Sequence, residues 1–198
     1  ESARIGDAPT TDKVDRYDWH GHVLLDTPGV NAPIEHQEVS EAELERTDLV
    51  LYVMRQEDQD AKDSMDRLFR LLKAGRPLFL LLNYEESDEA IVRQVREKLS
   101  QTLLEGANRY GYDLGALAQL PVMQLNAKAA LRARLEGKLK LQEFSGYDDF
   151  ILRFTDWLRK YDDKTQRLDL LRDRVQRELL NPVRQAVELR LPDGSGDV

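Results

Sequence analysis

The sequence has 198 residues, 29 Lys and Arg against 37 Asp and Glu for a formal net charge of −8, 41% hydrophobic residues and no cysteine. That length fits one compact domain plus an appendage with a core that needs no covalent staples, and the missing cysteines exclude disulfides, thiolate zinc sites and a cysteine nucleophile. The acidic balance argues against nucleic-acid binding by the whole surface; no apolar run approaches the roughly 18 residues of a membrane span, and the polar opening residues do not form a signal peptide, so the chain reads as soluble and cytosolic.

Lys13 to Trp19 alternates with period two, and His20-Gly21 makes a short turn into the apolar run His22 to Asp26, which predicts an antiparallel hairpin at a sheet edge. A Ser-x-x-Glu capping box at Ser40 and Glu43 predicts a helix to about Arg46. Two near-continuous apolar runs follow, Asp48 to Met54 and Pro77 to Asn83, with a weaker one at Pro121 to Leu125. Runs of this kind suit parallel strands covered on both faces. Amphipathic segments at about Asp60 to Lys73 and Asp88 to Tyr110 lie between them and are long enough for crossovers. The pattern predicts an α/β fold, a doubly wound and mostly parallel sheet with an antiparallel edge hairpin.

From about Gly146 the character changes. Tyr147 to Tyr161 carries Phe150, Ile151, Phe154, Trp157 and Leu158 at helical spacing, and Thr165 to Leu191 carries Leu168, Leu171, Val175, Leu179, Val183 and Val187 on a narrower stripe. Pro182 is expected to kink or break that second helix. Residues 153–190 carry net charge +3 against −9 for residues 1–152. The division expected is a body at 1–161, a helical extension at 162–191 and a disordered tail at 192–198.

The strongest chemical signal is Leu24-Leu25-Asp26-Thr27-Pro28-Gly29, an apolar strand ending in Asp-x-x-Gly. An acid at a strand end can orient a metal-bound water, and the glycine lets a bare backbone N–H approach a phosphate oxygen. Pro9-Thr10-Thr11-Asp12 precedes the hairpin, Asn83-Tyr84-Glu85-Glu86 ends the third apolar strand, and Asn126-Ala127-Lys128 ends the fourth. In this order and at these strand ends the four segments resemble the second to fifth nucleotide-binding boxes of the translation-factor-related GTPases, closest to the Era-like and bacterial dynamin-like members. The resemblance covers roughly residues 5–160.

It implies GTP or GDP as ligand with Mg²⁺. Thr11, or its neighbour Thr10, would ligate the metal and meet the γ-phosphate, Asp26 would hold the metal shell, and Gly29 would contact the γ-phosphate. Val30 stands where Ras-like members carry a water-orienting glutamine, which makes His36, in the same loop, a candidate for placing the attacking water. The family's Asn-Lys-x-Asp is here Asn83-Tyr84-Glu85-Glu86: Glu86 keeps a carboxylate for guanine, and Tyr84 would stack in place of the lysine stem. Asn126, Ala127 and Lys128 would complete the base site. No Gly-x-x-x-x-Gly-Lys-Ser/Thr occurs in the sequence. The resemblance therefore implies a GTPase domain without its first strand, phosphate loop and first helix, not catalytically competent as it stands. It further implies homodimerisation across the nucleotide face and a membrane or partner protein met through the C-terminal helices, peripherally at a membrane in the full-length protein. The other expectations are a pseudo-GTPase docking module without catalysis and a stalk or lipid-facing element on an inert α/β body.

Overall fold

The computed structural model describes residues 15–19, 21–27, 47–85, 88–162 and 164–188. The helix expected at Ser40 to Arg46 and the tail at 192–198 lie outside them. β1 (Asp15–Trp19) and β2 (His22–Asp26) form an antiparallel hairpin in which Trp19 faces His22 across the turn and Asp15 faces Asp26 at the open end. Gly21 takes φ 84°, the left-handed geometry that lets so short a turn close.

The second sheet is parallel and runs β3 (Val50–Arg55), β4 (Leu78–Asn83), β5 (Val122–Leu125), with β4 central. Two of these strands begin one residue after a proline for a physical reason. Pro77 and Pro121 have no N–H to give a ladder, but their carbonyls accept from Val50 N–H at 3.0 Å and Leu80 N–H at 2.9 Å. Asp48 and Leu49, expected in β3, precede the paired strand.

Helices α1 (Lys62–Lys73) and α2 (Glu89–Tyr110) are the crossovers. Their Met65, Leu68, Phe69, Leu72, Leu99, Leu103 and Ala107 pack with Val50, Tyr52, Met54, Leu78, Leu80 and Leu82 from one sheet face into the main core. The reverse face of β4 is also buried, and there Phe79 meets Phe150 edge-to-face with centroids 6.1 Å apart. β3, at one edge of this sheet, differs: Val53 on its reverse face is 56% exposed.

Three short helices follow that the periodicity did not predict: α3 (Leu114–Ala118), α4 (Ala127–Glu136) and α5 (Leu139–Ser145). Their starts and stops were nevertheless written in the sequence. Asp113 and Asn126 cap α3 and α4 by accepting from Ala116 N–H at 2.7 Å and Ala129 N–H at 2.8 Å, while Gly137 and Gly146 end α4 and α5 with left-handed φ.

The chain divides into two compact units, Glu1–Phe150 and Ile151–Val198, a division that falls inside α6 (Tyr147–Asp162). Within the second unit, Trp157 stacks on Phe154 at 5.7 Å and meets Tyr161 edge-on at 5.2 Å. Pro182 does not break the following helix. α7 (Lys164–Val175) passes through a π-helical turn, Gln176–Leu180, into α8 (Asn181–Glu188), and Asn181 N–H bonds to Gln176 O five residues back. A widened turn just before a proline relieves the conflict between its ring and the preceding turn.

Candidate functional site at the carboxyl ends of the parallel strands

The carboxyl ends of β3, β4 and β5 lie side by side, because each strand pairs in parallel with its neighbour up to Arg55, Asn83 and Leu125. In open α/β sheets this edge is where ligands bind. Asn83 closes β4, and its side-chain carbonyl accepts from Ala127 N–H at 3.1 Å, tying the β4 loop to the first turn of α4. Asn126 is buried and caps that helix, and its own N–H donates to Ser145 O at 2.9 Å. Lys128 pairs with Glu85 at 2.9 Å, and Glu85 N–H donates to the Gln56 side-chain carbonyl at 3.3 Å. Side chains from three consecutive strand ends thus form one polar rim. The Lys128–Glu85 pair is exposed at both ends and fixes geometry more than it stabilises.

The structure brings together Asn83, Asn126, Ala127 and Lys128 at the strand ends. Tyr84 differs from the expectation. It is 5% exposed, with its ring edge-on to Phe144 at 6.5 Å and its hydroxyl donating to Phe144 O at 3.4 Å, so it offers no open face for a stacked base. Burial pushes its hydroxyl pKa up, against a smaller lowering by Arg96. The apolar body of a tyrosine beside a buried strand end finds more to gain inside than over solvent. Gln56, Glu85 and Phe144 are contributors that motif reasoning did not single out; the loop after β3 is the place where Gln56 is found by position alone.

Asp26 lies at the end of β2, in the sheet separate from β3–β5. Thr10, Thr11, Gly29, His36 and Glu86 lie outside the described residues. Among the described residues no group of three or more His, Asp or Glu gathers to hold a cation. No helix among the described residues is long and apolar enough to cross a membrane.

No family model, curated protein or solved structure matches this chain. The fold and rim define an α/β protein with a three-stranded parallel sheet, a separate antiparallel hairpin and a polar strand-end edge.

Proposed function

We propose that the chain carries the base-recognition side of a guanine-nucleotide-binding domain of the Era-like or dynamin-like kind, a GTPase when complete. The observation that carries this reading is the hydrogen bond from Ala127 N–H to Asn83, which joins two sequence-distant motif segments at the strand ends. A loop held in this way keeps the Glu85 carboxylate and the Lys128 ammonium beside the first turn of α4 for one ligand, without reorganisation on binding. β3 as an edge strand with Val53 open is consistent with a further strand at that position, where such a domain carries its phosphate loop. Without that loop the β- and γ-phosphates lack their charge-assisted bonds, so this polypeptide binds weakly and does not turn over.

The test is titration of the 198-residue chain with GDP and ADP, followed by backbone amide shifts in NMR spectra. GDP is expected to shift Ala127 and its neighbours with a Kd above the micromolar range, ADP to shift them far less, and Asn83→Ala to abolish the difference. Equal responses to both nucleotides, or none to either at millimolar concentration, overturn the reading. A docking module without catalysis is favoured by one observation, the burial of Tyr84 away from any base. It predicts no nucleotide response at all.

A further inference from the structure

α4 and α5 meet at a tight corner around Gly137, whose φ of 67° turns the chain between them. Leu135, just before the corner, is 76% exposed, and Leu139, just after it, is 75% exposed; Leu131, one helical turn before Leu135, is also open to solvent. Residues 132–140 hold four cations, Arg132, Arg134, Lys138 and Lys140, and one carboxylate, Glu136, a net +3 in a chain of −8. Glu136 accepts from Lys138 at 2.6 Å and Arg132 at 3.4 Å, contacts that hold its pKa below the usual carboxylate range. One carboxylate cannot neutralise four cations. At the corner lies a shallow, open depression of about 670 Å³ whose lining mixes the cations Arg132, Lys138 and Lys140 with the apolar Leu139, Leu141 and Phe144.

We propose that this corner docks on an anionic phospholipid surface, the leucines entering the acyl boundary and the four cations meeting lipid phosphates. Charge selects the occupant. On a protein this acidic, a patch of four cations packed into nine residues beside open leucines is a part of the described surface that an anionic bilayer attracts, and the attraction favours orientations with that patch down. Shape separates a bilayer from an acidic helical partner. A partner helix needs an apolar stripe sustained over several turns, whereas these exposed leucines span little more than two turns of chain and are interrupted by Gly137, suited to a surface that deforms around them. Projecting leucines flanked by cations combine the two terms of interfacial binding, apolar burial and attraction to anionic headgroups. The patch lies on α4 and α5, away from the Arg-rich helices of the second unit in sequence, and stands whether or not the chain binds nucleotide.

The experiment is co-sedimentation of the full 198-residue chain with vesicles of phosphatidylcholine alone and of phosphatidylcholine with about one-third phosphatidylserine. Binding is expected to the anionic vesicles only and to weaken in roughly 0.5 M salt. Two double variants, Leu135→Ser with Leu139→Ser and Arg134→Gln with Lys140→Gln, are each expected to lower partitioning on the order of tenfold or more. All four side chains are exposed, so thermal melts are expected to stay unchanged and to exclude misfolding as the cause. Equal binding to neutral vesicles, no binding to either kind, or full binding by either double variant overturns the proposal. Binding of a Glu-rich amphipathic peptide in place of vesicles assigns the patch to a protein partner and overturns it as well.

Discussion

Tyr52 shows how one side chain couples the core to solution conditions. It sits on the covered face of β3, where its hydroxyl donates to Ser64 O at 2.9 Å. Burial pushes its pKa up to about 12 from 10, opposed by Arg67 and assisted by Asp58. Between those two values the unfolded chain has lost this proton and the folded chain still holds it. Stability contributed by the neutral phenol is therefore complete below about pH 10 and falls as pH rises towards 12, by up to roughly 2–3 kcal/mol. Tyr84, Tyr112 and Tyr161 are raised in the same direction by burial, and Tyr110 chiefly by its hydrogen bond to Asp66. Tyr52→Phe is thus expected to cost about 1 kcal/mol at neutral pH through the lost hydrogen bond and to flatten, not erase, the alkaline decline. Urea titrations across the alkaline range measure both effects. An unchanged slope in the variant places the sensitivity on the other tyrosines.

At the scale of elements, the contact of α1 with α2 turns on Gly106. Phe69 of α1 is fully buried, stacks on Tyr110 at 4.8 Å and meets Tyr112 edge-on at 6.0 Å. A Cβ on Gly106 would overlap the edge of the Phe69 ring. Alanine in place of a mid-helix glycine ordinarily gains about 1 kcal/mol. Here the ring has nowhere to move, so Gly106→Ala is expected to destabilise by about 1–3 kcal/mol and lower Tm. Phe69→Leu in the same chain should recover part of that loss, since the two sites share one contact. A raised Tm for Gly106→Ala alone would show that the helices pass farther apart.

The same elements show what the sequence made legible. β3, β4, β5 and the two crossover helices were readable because strands of a parallel sheet leave near-continuous apolar runs, and prolines at 77 and 121 mark where pairing starts, whereas β2 was readable as the second arm of an antiparallel hairpin. α3, α4 and α5 were not, since helices of 5, 10 and 7 residues give little periodicity to detect, and only their caps and terminal glycines announce them. The neighbourhood of Asn83 with Ala127 was legible as a pairing of strand-end motifs. Tyr84 was not, because its partner Phe144 lies 60 residues further along the chain and no local pattern links them.

At the scale of the whole molecule, the second unit poses a question of burial. Leu168, Leu171, Val175, Leu179, Val183 and Val187 are all exposed. From Leu168 to Val187 is 19 residues, and five turns at 3.6 residues would span only about 18. The single wider turn at Gln176–Leu180 supplies the missing residue and keeps the six side chains along one stripe. The stripe is narrow and bordered by charges of both signs, among them Arg174 paired with Glu178 at 3.1 Å, which is the form of a helix-pairing seam more than of a core-facing helix. A chain ending after Asp163 loses this stripe but none of the buried residues of the main core. It is expected to unfold cooperatively with Tm within about 3 °C of the full chain, and to lose concentration-dependent self-association measured by sedimentation. The bland alternative is a helix permanently docked on the rest of the protein. If truncation abolishes the cooperative transition, then Leu168, Leu171, Val175 and Leu179 are core residues in solution, and the seam belongs to this chain's own packing rather than to a partner.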